Sequence, residues 1–510
     1  MEHQPEEYYA RLEKLTKLQA EGKDPFAVQR YERSHRCREV GTAWPQIGGR
    51  EVSVAGRLSA VRKHGKSCFC DLNDESGRLQ AQARIDYLGE EGYAAFGDLD
   101  LGDIVGVRGE VFGTRTGEVT VAVRSWALLA KALRPLPEKY HGLRDVETRS
   151  RQRYLDLIAN VEAREAFRAR SRMIQAARST LAARGFVEVE TPVMQPIYGG
   201  AAARPFTPHH NTLDMDLFLR IAPELYLKRL IVGGLERVYE IARVFRNEGI
   251  DTHHNPEFTL LEIYQAYADY NEMMDLTEQI VVAMAEAAVG GKIIEHKGQQ
   301  IDLSPPWPRV SFLGAIEKVT GVDLSELDRD EQAPDAAKKL GMTDVEVTSL
   351  AEVMDRAFEK YVQPSLIAPT FVIDYPVTMS PLAKRHAARP NITARFEPFL
   401  CGEEIGNAFS ELNDPLDQRK RFEEQAAKRA KGEQEAHPLD EDFLLALEYG
   451  MPPTGGLGIG VDRLAMLLLD KPSMREVILF PLMRPEAAEA AAEEPAEGEV
   501  EEATQGDSDA

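Results

Sequence analysis

Two apolar runs separated by a polar loop constrain this chain more than any other feature. Residues 237–245 read RVYEIARVF and residues 259–264 read TLLEIY, both alternating and β-branched in the manner of half-buried strands. The stretch that joins them, FRNEGIDTHHNPEF (245–258), carries Asn, Gly, Asp and Pro and reads as a loop. The chain must therefore turn back on itself in a long hairpin. Arg246 and Glu248 are spaced by two, which predicts that both sit on one strand and face one side. His254 and Phe258 follow on the returning strand. A permanently charged arginine fork takes carboxylate or phosphate, an aromatic face can stack on a base, and a carboxylate can read an exocyclic amine. Together they read as a clamp for ATP.

The stretch resembles motif 2 of the class II aminoacyl-tRNA synthetases: Phe-Arg-x-Glu, a loop, Arg/His-x-x-x-Phe, then an acidic residue. In detail FRNEG, HNPEF and LEIYQAYADY are similar to the bacterial lysyl-tRNA synthetases, and the likeness runs from about residue 50 to residue 484. It implies an α+β chain, with an OB-fold β-barrel ahead of a class II catalytic domain whose antiparallel sheet is flanked by helices. The domains expected are a basic helical extension (1–50), an anticodon-binding barrel (51–131), a linker (132–153), a catalytic domain (154–484) with a helical insertion at about 271–360, and a disordered acidic tail (485–510).

Size and composition agree with that frame. The 510 residues suffice for two to four domains with ample core. No apolar run approaches the ~20 residues of a membrane span, the charged N-terminus MEHQPEEYYARLEKL reads as no signal peptide, and a cytoplasmic enzyme is expected. Cys37, Cys68, Cys70 and Cys401 form no CxxC pair, so neither a disulfide framework nor a zinc finger is indicated. Cys68 and Cys70 read as small buried side chains on one strand face. Net charge is −23, which argues against broad nucleic-acid affinity, although ten of those charges fall in the tail. RNA contacts must then rest on local basic patches.

Tyr8, Leu12, Leu15 and Leu18 recur at helical spacing up to Gly22. Lys14, Lys17, Arg30, Arg33 and Arg36 make the first 40 residues locally basic, and in the family such a helix adds tRNA affinity. From about residue 51 to 131 five short strands alternate with tight turns, as in an OB-fold. Such barrels stack bases on aromatics and track phosphates with basic residues. Phe69 is the natural platform, and the resemblance aligns Arg62, Gln80 and Glu118 with groups that read anticodon edges. Residues 131–153 carry seven basic and three acidic residues and two prolines, and read as a stiff linker meeting tRNA phosphates. A long amphipathic helix (162–184) and the strand FVEVETP resemble motif 1, which implies a homodimer.

Two further clusters carry chemistry. In FEPFLCGEEIGNAFSEL (396–412) Glu397 and Glu404 flank Cys401-Gly402, which suits two strand ends converging on a hard cation. Asn407, Phe409 and Glu411 alternate and should share one face. The run GGLGIGVDR (455–463) lacks both the G-x-G-x-x-G spacing and a P-loop lysine; it resembles motif 3, in which glycines, Gly460 among them, admit the nucleotide and Arg463 meets its phosphates. The resemblance further assigns Mg²⁺ to Glu397 and Glu404, and the amino-acid substrate to Gly200, Glu224, Glu262, Tyr264, Asn407, Phe409 and Glu411. Arg246, Glu248, His254 and Phe258 go to ATP, with Arg246, His254 and Arg463 as the catalytic set.

Glu224, Glu262 and Glu411 suit a ligand that is cationic at more than one point, which favours L-lysine over aspartate or asparagine. The implied partners are lysine, ATP and tRNA(Lys), with no membrane. Two alternatives stand beside this reading. One is an AMP-forming lysine ligase that modifies a protein, whose relatives lack the barrel. The other is an inactive RNA-binding paralogue, which would have no need of an intact Arg246, His254, Glu397, Glu404 and Arg463.

Overall fold

Inward aliphatic and outward polar residues alternate along the first five strands, and that alternation closes them into a barrel. In the computed structural model, which describes residues 5–136, 143, 145–327, 329–342, 347, 349–430 and 437–485, strands Glu51–His64, Ser67–Asn73, Arg78–Arg84, Ile104–Gly113 and Val119–Ala130 pair in the order first, second, third, fifth, fourth. Val54, Leu58, Cys68, Cys70, Ala81, Val107 and Val123 fill the interior. Both cysteines of the second strand point inward, as their spacing predicts.

Helix Glu6–Ala20 belongs to the same unit, which extends to residue 144. Its charges are largely taken up inside that unit. Arg11 donates to the carbonyl oxygens of Leu101, Ala132 and Arg134, and Lys14 pairs with Asp98 and Asp100. Arg30, Arg33 and Arg36 pair with Glu32, Asp74 and Glu75. Lys14, Arg33 and Arg36 therefore pair with carboxylates distant in sequence, and Arg30 with one two residues away.

The second unit begins at residue 145. Its main sheet runs Arg309–Ser311, Thr370–Ile373, Arg395–Leu400, Gly406–Ser410, Thr454–Gly460, Glu257–Ala266, Arg237–Phe245, Val187–Glu188. The pairs at the two edges are parallel and the rest antiparallel. Period-2 alternation divides the sheet into two chemically different faces. Leu261, Ile263, Phe396, Ala408, Leu457 and Ile459 turn toward helices Val161–Ala183, Tyr270–Val289 and Val461–Leu468 and share one core with Met173, Leu181, Met274, Ile280 and Leu464. Each fully buried Leu, Ile, Met or Phe among them contributes roughly 1.5–3 kcal/mol. The intervening residues face the other way and are mostly polar or glycine, with Phe258, Leu260 and Phe409 among them.

Three expectations need correction. Residues 271–360 are not simply a helical insertion. Helix Tyr270–Val289 supplies core on the main sheet, and Arg309–Ser311 is an edge strand of that sheet; the amphipathic pattern of a core helix and an added helix is the same, so sequence alone could not separate them. The basic stretch 131–153 offers phosphates fewer free charges than its composition suggests, although Arg134 is exposed. Lys131 is buried between Asp100 and Asp103, Arg149 binds Asp156 and Glu476, and Arg153 is buried against Asp156; residues 137–142 and 144 lie outside the described residues. In motif 1, FVEVETP contributes strand only at Val187–Glu188. The acidic tail beyond residue 485 lies outside the described residues.

Candidate active site

The polar face of the main sheet is a grid set by register. Glu262 lies opposite Gly458, which lies opposite Asn407; Tyr264 lies opposite Gly456, which lies opposite Phe409. Arg395 follows Phe409 on the next strand, and Glu397 sits two residues farther on the same face. Glu411 continues the line just past its strand, its N–H donating to the Thr454 carbonyl. Helix Glu224–Val232 brings Glu224 over this floor, and the loop at Gly200 closes beside it. A cavity of about 450 Å³ results, a size that suits a small ligand or nucleotide.

Close backbone approach is built in at two places. Gly200 has φ 86°, and a Cβ there would lie 2.8 Å from the Glu224 Cβ. A Cβ on Gly456 would lie 1.9 Å from Glu411 Oε1 and 2.7 Å from Tyr264 Cε1, and one on Gly458 would lie 3.0 Å from Glu262 Oε1. These glycines make room for carboxylates, a role distinct from admitting a nucleotide. Only glycine fits without displacing the cluster.

Three carboxylates meet at one end. Glu224, Glu262 and Glu411 are all buried. Tyr264 donates to Glu262 Oε2 at 3.0 Å. Burial, followed by the charge of Glu224, pushes Glu262 up to about 8. Burial also drives Glu411 upward, against the pull of Lys228. Lys228 Nζ lies 2.5 Å from Glu224 Oε1 and in ionic contact with Glu411 Oε2. Among the described residues Glu411 Oε1 has no hydrogen-bond partner. A buried carboxylate in that condition calls for a donor from a ligand.

At the other end lie the motif 2 residues. The outgoing strand stops at Phe245, so Arg246 and Glu248 stand in the loop and not on a strand, as their spacing suggested. The returning strand starts at Glu257, which leaves His254 in the loop and Phe258 on the strand. The Asn-Glu-Gly and His-Asn-Pro segments break the ladder. Arg246 lies over the Phe258 ring at 5.1 Å, and burial lowers its pKa while Glu248, Glu404 and Glu262 pull the other way. His254 Nδ1 is 2.8 Å from Asp251 Oδ2. Burial alone would raise Asp251, but hydrogen bonds from His254 and two backbone N–H groups hold it at about 2. Arg463 donates to the Glu404 carbonyl at 2.7 Å. Among the described residues, Arg246 Nε and Arg463 Nε are buried without partners.

Glu397 and Glu404 come together through a hairpin. Phe399 pairs with Glu404, and the turn uses Cys401 at φ 57° and Gly402 at φ 79°. Glu397 accepts from Tyr375 at 2.6 Å and from Arg395 at 2.5 Å. Burial and the neighbouring Glu397 raise Glu404 to about 7. Among the described residues no group of three or more metal-ligating side chains exists. Two carboxylates do not make a closed metal site, but they fit a hard cation that arrives with phosphate oxygens of its own.

This constellation lies in a segment, residues 145–484, that matches the family described as class II tRNA synthetases (D, K and N). The chain belongs to the class II tRNA synthetases. Residues 52–129 match the OB-fold nucleic acid binding domain. The lysine–tRNA ligase of Moorella thermoacetica is 57% identical over 475 residues, 93% of this chain and 97% of the relative. That of Carboxydothermus hydrogenoformans is 56% identical over 487 residues, 95% of this chain and all of the relative. The lysine–tRNA ligase of Pelotomaculum thermopropionicum is 55% identical over 477 residues, 93% and 94% of the two chains. Class II synthetases of this kind use ATP with divalent metal ions.

In this class II synthetase one cavity is lined by Gly200, Glu224, Arg246, Glu248, His254, Phe258, Glu262, Tyr264, Glu397, Glu404, Asn407, Phe409, Glu411, Gly460 and Arg463. Sequence reasoning missed Arg395, although its spacing of two from Glu397 was a usable signal. It donates to Asn407 Oδ1, Glu397, the Met379 carbonyl and Ser380. Lys228 was also missed; it stands one helical turn after Glu224 and shares its face. The proposed anticodon residues lie on the barrel's outer surface. Arg62 stands opposite Phe69, and Gln80 opposite Asp71 and Thr120. Arg62 binds Asp71, Gln80 accepts from Thr120 and Glu118 pairs with Arg78.

Proposed function

We propose that the chain activates L-lysine with ATP to lysyl-adenylate and pyrophosphate, then transfers lysine to the 3′ end of tRNA(Lys). The observation that carries this reading is the convergence of Glu224, Glu262 and Glu411, with Tyr264, in the cavity that also holds Arg246. An acidic or amide side chain would meet repulsion or unsatisfied acceptors there. A second ammonium satisfies them, and sites built on such buried partners discriminate strongly.

In the first step a carboxylate oxygen of lysine attacks the α-phosphorus and pyrophosphate departs. Glu224 and the Gly200 carbonyl hold the α-ammonium; Glu262, Glu411 and Tyr264 hold the ε-ammonium against Phe409. Asn407 has its oxygen engaged by Arg395, which leaves its NH₂ group to donate to the substrate carboxylate. Arg246 bridges that carboxylate and the α-phosphate, bringing two anions together. Phe258 stacks the adenine, Glu248 reads its amine, and His254 and Arg463 meet the outer phosphates. A divalent cation on Glu397 and Glu404, Mg²⁺ in this proposal, would add positive charge against the phosphates. In the second step the terminal tRNA hydroxyl attacks the adenylate carbonyl and AMP leaves. No protein nucleophile is required.

Phe69, with Arg62, Gln80 and Glu118, reads the anticodon. A homodimer through motif 1 is supported by exposed Val187, Val193 and Met194, and sedimentation at micromolar concentration tests it. Activity and substrate are tested together by ATP–pyrophosphate exchange against all twenty amino acids. Lysine alone should drive it, and exchange driven by another amino acid overturns the reading. Charging of purified tRNA then separates it from a protein-modifying lysine ligase.

A further inference from the structure

Lys228 is fully buried, stands on the helix that carries Glu224, and bridges to Glu411 on a segment 183 residues later in the chain. Its ammonium lies 5.4 Å from the Phe409 ring and 5.9 Å from that of Phe443. Burial would strip its charge, but Glu224 and Glu411 outweigh it and hold the group as an ammonium. A lysine thus stands behind two of the carboxylates that line the pocket proposed to recognise ammonium groups. It touches the carboxylate proposed for the α-ammonium and one proposed for the ε-ammonium.

We infer that Lys228 is a positioning residue, an internal cation that ties Glu224 to Glu411 and so fixes the spacing between the two ammonium subsites. The inference rests on the lysine reading above. Three features give it content. The bridge joins helix Glu224–Val232 to the segment just past strand Gly406–Ser410. It uses one oxygen of each carboxylate, Glu224 Oε1 and Glu411 Oε2, and leaves the second oxygens to a ligand. It also occupies the place between them, so a shorter diamino acid cannot gain by drawing the two carboxylates together. Selection by chain length follows: lysine spans the tied carboxylates, while ornithine, one methylene shorter, reaches only one end.

The test is Lys228→Met, which keeps length and removes charge, measured by ATP–pyrophosphate exchange with lysine and with ornithine. The expected result is a rise in the KM for lysine of about thirtyfold or more, because a buried carboxylate loses its partner. The KM for ATP should stay within about threefold, and the lysine-to-ornithine preference should fall at least about tenfold. Unchanged preference overturns the inference, whatever happens to the rate. Should that variant not fold, Glu224→Gln decides. It frees Lys228 to pair wholly with Glu411, so inhibition by 6-aminohexanoate, which has no α-ammonium, should weaken about tenfold or more. An inhibition constant within about twofold of wild type means the subsites are independent and the bridge does nothing. Wild-type protein with no lysine-dependent exchange removes the substrate assignment and this inference with it; normal wild-type exchange with unaltered variants removes the inference alone.

Discussion

Glu262 is the residue at which charge and pH meet. Its pKa of about 8, raised by burial and then by Glu224, means that the folded protein holds a proton there which the unfolded chain gives up near the ordinary 4.5. Between those values the native state binds more protons, so without lysine the protein loses stability as pH rises through the window. An ammonium beside Glu262 reverses the preference. The KM for lysine should accordingly fall as pH rises from 6.5 to 8, and Glu262→Gln should flatten that profile while raising KM. Steady-state exchange across the range checks both. Arg246 is a different case, since its role is proposed to lie in the transition state. Arg246→Lys, which loses the fork, should lower kcat by about a hundredfold or more with less effect on the KM for lysine.

At the scale of the element, the glycine strand Thr454–Gly460 matters most. Its glycines read from sequence as access for a nucleotide, and register shows that two of them stand under acidic side chains. Gly456→Ala places a methyl against Glu411 and Tyr264. It should raise the KM for lysine by about a hundredfold and leave the KM for ATP nearly unchanged, as exchange kinetics would show. The motif 2 hairpin teaches a related lesson. Its strands were legible because alternation is a local property, and the structure agrees with both. Arg246 and His254 were assigned to the strands because spacing cannot tell a strand residue from one in a loop that faces the same way. The hairpin at Cys401-Gly402 was legible for the opposite reason: a turn between two carboxylates brings them together whatever the rest of the chain does.

On the scale of the whole molecule, barrel and catalytic unit can be tested apart. Phe69→Ala removes one base-stacking platform, and its cost in tRNA charging should be about tenfold to a hundredfold in the KM for tRNA. Lysine-dependent exchange without tRNA should not change. The basic N-terminus and the 131–153 stretch carry a caution of the same scale, since Lys14, Lys131, Arg149 and Arg153 are engaged by carboxylates of their own unit. Positive charge counted along a sequence is not positive charge presented to RNA. By itself the sequence determined the long hairpin, the five-stranded barrel, the class II motifs and the facing carboxylates of residues 397–411, all features set by period and turn chemistry within a few dozen residues. Only the tertiary structure decided that Gly456 stands against Glu411 and Tyr264, that Arg395 holds Asn407 and Glu397, and that Lys228 lies between Glu224 and Glu411. Those contacts depend on strand order and on burial, and neither is encoded in local spacing.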